Sequence, residues 1–253
     1  MRSRYEIYVD GIAFSSIHPG IIIQNIGYNT ATIMRQTQYV ANRNGSIILN
    51  NKMEKARVTI QFMLRIYRTQ DRQAVLQKIQ QWAQGKVLET SDREDQRLYV
   101  VCDNFPVIDS VKNWTGTLAV SFTAYEKPFW ESRILSTVSL VGDDEEGSLF
   151  IPGNAGNTLV SAVVTPSEAI TELQITVGDT TIKLEGLNTD AIISIGYDEH
   201  GNQYIKAGTT SILAKRTTDS SDDLLAVCGK RNDVAVTADK SVAASIMARG
   251  LWL

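Results

Sequence analysis

Twelve consecutive residues alternate with a period of two: Ala56, Val58, Ile60, Phe62, Leu64 and Ile66 fall on one side, and Arg57, Thr59, Gln61, Met63, Arg65 and Tyr67 on the other. Only an extended strand sends alternate side chains to opposite faces, so one face of this segment is core and the other is not. The period then changes at once. Val75, Leu76, Ile79, Trp82 and Ala83 form one helical stripe, with Thr69 at the capping position and Gly85 at the stop. The spacing predicts one helix lying on a sheet with Trp82 inward.

The rest of the chain reads as β. Isoleucine, valine and threonine make up about a quarter of the 253 residues, and β-branched side chains keep more of their freedom in strands than in helices. Asp10-Gly11 between Tyr5–Val9 and Ile12–Phe14 is the turn chemistry of a tight hairpin. Asn44-Gly45, between Thr30–Val40 and Ser46–Leu49, predicts a second hairpin in the form of an extended arm. Lys86–Glu89, Arg97–Cys102 and Thr117–Tyr125 read as further strands, the first two joined by the polar loop Ser91–Asp95.

Pro128, Phe129 and Trp130 break this pattern, and the boundary between two domains, 1–128 and 129–253, is expected there. Charge divides the chain at the same place. Residues 1–130 carry 16 basic and 11 acidic side chains, residues 131–253 carry 9 and 17. The second half shows many short β-runs between turn signals, at the spacing of a sandwich: Ser136–Val141, Leu159–Thr165, Glu172–Val177, Thr180–Glu185, Ala191–Ile195, Gln203–Ala207, Asn232–Thr237 and Ser241–Ala248. A mainly β fold of two domains follows, the first with a single packed helix and a hairpin arm and the second at the spacing of a sandwich.

Composition excludes several classes. The net charge of −3 is too close to neutral to imply nucleic-acid binding, and two cysteines, Cys102 and Cys228, one in each half, exclude a disulfide framework. The first residues alternate polar and apolar instead of forming a signal peptide, and no apolar run reaches membrane-spanning length. Synthesis in the cytoplasm is expected.

Chemistry is hard to place. A serine or cysteine nucleophile needs a histidine base, and the chain offers only His18, a turn residue before Pro19-Gly20, and His200, in a polar hairpin tip. The run Asp143-Asp144-Glu145-Glu146 lacks the alternating ligand spacing of a calcium loop and reads as a solvated linker. Glycines stand without the helix or lysine of a phosphate cradle. Arg65, Arg68 and Arg72 read as a wet or subunit-facing surface, and Tyr197, Tyr204 and Trp252 would stack on sugar rings only if they shared an exposed face. No metal, cofactor or catalytic residue is implied, and the chain reads as a non-enzyme.

The order of features resembles the distal tail proteins of long-tailed bacteriophages and prophages, also called Dit, along nearly the entire length. In the first half the resemblance rests on the Asp10-Gly11 and Asn44-Gly45 turns, the strand Arg57–Ile66, the helix ending Ile79–Gly85, Leu88 followed by Ser91-Asp92, and the strand Leu118–Tyr125. In the second half it rests on Ile151-Pro152-Gly153-Asn154-Ala155, the Gly201 hairpin, Cys228–Asn232 and the terminal Arg249-Gly250-Leu251-Trp252-Leu253. The resemblance implies a structural protein of the virion tail tip, assembled in the bacterial host cytoplasm. Its expected partners are itself, as a homo-hexameric ring, the tail tube protein, and a tail-associated host-recognition or fibre protein. Genome DNA would pass through the lumen without sequence-specific contact. By this resemblance the N-terminal domain, a β-sandwich with one packed helix and a hairpin arm, would build the ring, and the C-terminal domain would be a galectin-like β-sandwich. Ring contacts are expected on the arm at Asn44, Gly45, Ile47, Ile48 and Leu49 in preference to the non-core face Met63, Arg65 and Tyr67, because three apolar residues in a row on a projecting hairpin would be exposed in a monomer unless they pack on their own domain. The competing reading is an accessory module in which the C-terminal sandwich binds a saccharide.

Overall fold

The computed structural model describes residues 5–29, 33–39, 46–66, 69–105, 117–125, 127–198 and 201–253. It is mainly β, and the chain divides into two compact units, Met1–Trp130 with Leu253, and Glu131–Trp252.

In the first unit, β1 (Ile7–Val9) and β2 (Ile12–Ala13) form the expected hairpin, with Asp10 and Gly11 at φ 50° and 77°. Positive φ at both turn positions matches the right-handed twist of the flanking strands. Phe14 does not continue the strand as expected; it opens a single helical turn, α1 (Phe14–Ile17), and is fully buried. Next come β3 (Ile21–Asn29), the paired strands β4 (Ile33–Tyr39) and β5 (Ser46–Met53), β6 (Arg57–Leu64), the helix α2 (Thr69–Trp82), β7 (Val87–Thr90), β8 (Gln96–Asn104) and β9 (Thr117–Ala124). One antiparallel path, β2-β1-β7-β8-β9-β6-β3, links all of these strands except β4 and β5, which among the described residues pair only with each other.

β6 obeys its alternation: Val58, Ile60, Phe62 and Leu64 are buried and Arg57 and Gln61 exposed. β3 was invisible to that test. Ile23 faces Phe62 and Asn25 faces Gln61, so Gln24 is an extra residue, and such a bulge breaks the period of two in midstrand. The helix buries Val75, Ile79 and Trp82, and Ala83 is buried just past its end. Trp82 lies 4.6 Å from Phe14 and 5.9 Å from Phe122, Phe14 meets Phe62 edge-on at 5.0 Å, and the Trp82 indole donates to the Ile12 carbonyl at 2.8 Å.

β10 (Trp130–Ile151) starts at the last residue of the first unit and otherwise belongs to the second, with β11 (Asn157–Pro166), β12 (Ile170–Val177), β13 (Thr180–Thr189), β14 (Ile193–Tyr197), β15 (Gln203–Ala207), β16 (Thr210–Ser211), β17 (Leu225–Val227) and β18 (Lys230–Trp252). The sequence predicted two strands where β18 is continuous. It also predicted a linker at Asp143–Glu146, and these four residues lie inside β10.

Neither long strand is straight. Drawn out at about 3.3 Å per residue, β18 would span roughly 75 Å. Yet Gly153 is bridged to Leu251 near its end, and a Cβ on Gly229, just before its start, would stand 2.8 Å from the Gly153 carbonyl. β18 therefore folds over, and its halves choose different neighbours: Val234–Ala238 pair with β12 and Val242–Ala248 with β11. β10 folds at the same level, which brings Leu140 against Gly147.

Three corners thus lie side by side at one end, near Gly142–Glu145, Pro166–Ile170 and Asp239–Ser241. They are bonded to one another. Asp239 accepts from the Thr171 amide (2.9 Å) and hydroxyl (2.7 Å) and the Glu172 amide (3.2 Å), Ser167 donates to the Ser241 carbonyl, and Thr237 donates to Asp144 at 3.1 Å. Two layers result. The first contains the end of β10, the start of β18, β12 and β13; the second contains the start of β10, the end of β18, β11, β14, β15 and β16. Leu173, Ile175, Ile182 and Val236 of the first layer and Val160, Ala162, Ile195 and Ile246 of the second are all buried.

Candidate assembly surface

Ile47, Ile48 and Leu49 lie on β5, and Asn44 and Gly45 fall outside the described residues. β5 runs antiparallel to β4, with Tyr39 opposite Ser46, Gln38 opposite Ile47 and Thr37 opposite Ile48. The next partners are Gln36 and Asn50, so Leu49 is the additional residue of a bulge. Because β4 and β5 form a sheet of their own, each keeps one edge without a strand partner among the described residues. A two-stranded ribbon is marginally stable alone in water, so such an arm gains most when something else packs on it.

The polar loop Ser91–Asp95 is more than a solvated connection. Ser91 accepts from the Glu6 amide at 2.8 Å, and Tyr28 on β3 donates to both carboxylate oxygens of Asp92 at 2.7 and 2.9 Å. The Arg93 guanidinium stands 4.9 Å from the ring centres of both Tyr28 and Trp130, which meet each other edge-on at 5.9 Å. A cation held between two aromatic rings is attracted by both quadrupoles. Trp130, read in the sequence as a boundary residue, is thereby fixed to the first unit. Burial raises the Tyr28 phenol pKa, and the Asp92 carboxylate raises it further.

Three segments that carried the resemblance in the second half converge in space. Asn154 and Ala155 amides donate to the Leu251 carbonyl at 2.9 and 3.1 Å, Gly229 donates to Ile151 at 2.7 Å, and Cys228 to Gly156 at 2.8 Å. Asn232, 6 % exposed, accepts from the Val227 amide at 2.8 Å and donates to carbonyls of Val227, Lys230 and Leu149. Arg249 donates to the Ser132 and Arg133 carbonyls, each at 2.9 Å.

The other sequence candidates separate. His18 accepts from the Gly20 amide at 2.9 Å, the role of a turn residue; His200 lies outside the described residues. Arg72 donates to the Ile66 carbonyl at 2.9 Å, and Arg68 is not among the described residues. Tyr197 pairs with Gln203 and Tyr204 with Gly196, so the two tyrosines fall on opposite faces of their sheet. Tyr197 is engaged internally, its hydroxyl accepting from the Leu224 amide at 2.9 Å, and burial raises its pKa. No group of three or more His, Cys, Asp or Glu side chains suited to a metal occurs among the described residues. Burial raises both thiol pKa values, Cys102 and Cys228.

No family model and no curated protein sequence matches the chain. Solved structures do. The crystal structure of SPP1 Dit, described as a paradigm of the hub adsorption apparatus in phages that infect Gram-positive hosts, is similar over 99% of this chain and 100% of that one, at 11% identity and a TM-score of 0.75. Two structures of the phage p2 baseplate in its activated conformation are similar at a lower level. With strontium the match covers 97% of both chains at 9% identity and a TM-score of 0.46; with calcium it covers 92% and 97% at 9% and 0.43. Those two scores are too low to carry weight. From end to end, this chain shares the fold of SPP1 Dit.

Proposed function

We propose that the chain is a structural, non-enzymatic hub protein of the distal end of a bacteriophage tail. Copies form a hexameric ring that joins the tail tube to host-recognition or fibre proteins and leaves a lumen for the genome. The observation that carries this reading is the likeness to SPP1 Dit over essentially the whole of both chains. Residues 1–128 build the ring in this proposal, and residues 129–253 form a galectin-like outer domain. The protein resides at the virion tail tip after assembly in the host cytoplasm.

The arm supports the ring. Heterologous contacts close into a ring only when each copy offers two complementary surfaces, and a β-ribbon whose outer edges have no strand partner among the described residues supplies one of them. Asn44, Gly45, Ile47, Ile48 and Leu49 are the proposed contact residues. The saccharide-binding alternative gains nothing from Tyr197 and Tyr204, which cannot stack on one ligand from opposite faces.

Light scattering at several concentrations in moderate salt tests the proposal. The expected mass is six times the 28.0 kDa of one chain, and deleting Ser46–Leu49 should lower it. A wild-type protein that stays monomeric, with no rings in negative-stain images, would refute it.

A further inference from the structure

The strand path of the first unit has two ends. At one, β2 is two residues long and its Ile12 carbonyl already accepts from Trp82. At the other, β3 is nine residues long and pairs only with β6 among the described residues.

The register fixes which backbone groups of β3 point away from the sheet. The Arg65 amide donates to the Gly20 carbonyl, and on the far side of β6 the Ala124 amide donates to the Ala56 carbonyl, each at 2.8 Å. Alternate residues of an antiparallel strand bond to opposite neighbours. Val58, Ile60 and Phe62 therefore bond to β9, and Arg57, Thr59, Gln61 and Met63 bond to β3. Opposite those last four stand Asn29, Gly27, Asn25 and Ile22, so Ile23, Ile26 and Tyr28 send their amides and carbonyls outward. That edge is weakly guarded. Edge strands are commonly blunted by charge, proline or a bulge, and Ile21–Asn29 contains no charged residue and no proline. Its bulge at Gln24 still leaves Asn25–Asn29 in unbroken register.

We infer that the arm of a neighbouring copy adds to this edge, with β5 of one chain extending the sheet of the next beside β3. The arm is a matching piece: β4 and β5 span seven and eight residues, and each has one edge without a strand partner among the described residues. Only residues 30–32 separate β3 from β4, yet the two do not pair, so one chain leaves both edges open. Three apolar residues in succession, Ile21–Ile23 on β3 and Ile47–Leu49 on β5, suit strands covered on both faces. β3 is uncharged, so Arg35 and Lys52 of the arm meet no like charge on it. Strand addition draws its affinity from main-chain hydrogen bonds, and an arm and an edge offered by every copy make a heterologous contact of the kind that closes into a ring. The inference rests on the ring reading and supplies its second surface.

Hydrogen-exchange mass spectrometry of peptides spanning Ile21–Asn29 tests the pairing. The outward amides should exchange about a hundredfold more slowly in the assembled wild type than in the chain lacking Ser46–Leu49. Ile26→Pro removes one outward amide and leaves the bonds to β6 in place, so it should lower the mass seen by light scattering. A thermal melt shows whether this variant folds, and if it does not, exchange alone decides. A six-copy assembly whose outward amides exchange as fast as those of the deleted chain overturns the inference and leaves the ring standing. Protection that persists in the deleted chain also overturns it, since the edge is then covered without the arm. A wild-type monomer at every concentration overturns both.

Discussion

Gly153 and Leu251, almost a hundred residues apart, form an isolated parallel bridge, and the Leu251 carbonyl sits where a Gly153 side chain would begin. A Cβ at Gly153 would stand 2.1 Å from that oxygen, and one at Gly250 would stand 2.2 Å from the Pro152 carbonyl. Both clashes are with backbone. Gly153 also holds φ at 124°, a region that other residues rarely adopt. Gly153→Ala is therefore expected to cost about 2–4 kcal/mol in urea unfolding, through strain and clash together.

The aromatic cluster of the first unit sets a second expectation. Phe62 is fully buried against Phe14, and removing its ring leaves a cavity that the surrounding sheet and helix cannot close. Phe62→Ala should destabilise by about 3–5 kcal/mol, whereas Phe62→Leu should cost clearly less. Chemical denaturation of both variants checks the order.

Arg93 should matter through its position between two rings. Arg93→Ala removes both ring contacts and is expected to cost about 1–2 kcal/mol, with a blue shift or intensity change in Trp130 fluorescence. Arg93→Lys should recover only part, since an ammonium does not lie flat against an aromatic face.

Tyr28 gives a pH dependence with a defined sign. Its pKa is raised in the folded protein, first by burial and then by Asp92, so the folded state favours the neutral phenol. That contribution is fully present below the ordinary phenol pKa of about 10 and is lost as pH rises through the folded value. Stability should fall above pH ~10 in the wild type and fall less in Tyr28→Phe.

Asp239 works in the opposite direction. Hydrogen bonds from the Thr171 hydroxyl and then from backbone amides lower its pKa, so its contribution is present above the ordinary carboxyl value of about 3.9. It is lost as pH falls from there through the folded value. Thermal melts of Asp239→Asn should show less loss across that acidic range than the wild type.

Local period made the regular elements legible. β6 and α2 could be drawn from Ala56–Gly85 because each keeps one period from end to end and each buries one face. β3 could not, since the extra residue at Gln24 shifts Ile26 and Tyr28 out of phase with Ile21 and Ile23. β10 and β18 were cut short for a related reason. Asp143–Glu146 and Asp239–Ser241 have loop composition because they turn corners, yet they stay hydrogen-bonded to neighbouring strands and do not leave the sheet. The convergence of Gly153, Gly229 and Leu251 was beyond sequence reasoning, for nothing local records which distant segments meet. The terminal Arg249–Trp252 motif is legible in the sequence, but its reason, the close approach of Pro152 and Gly153, is not.

The shared base of β10 and β18 has a mechanical consequence. The chain enters the second unit at Glu131 and leaves it at Trp252, and Arg249 clasps the Ser132 and Arg133 carbonyls between those two points. Tension applied along the chain therefore pulls on adjacent antiparallel strands at one end and bypasses the folded corners at the other. The folded corners therefore lie off the line of force between the two strand ends, and the Arg249 clasp is the first contact that such tension meets.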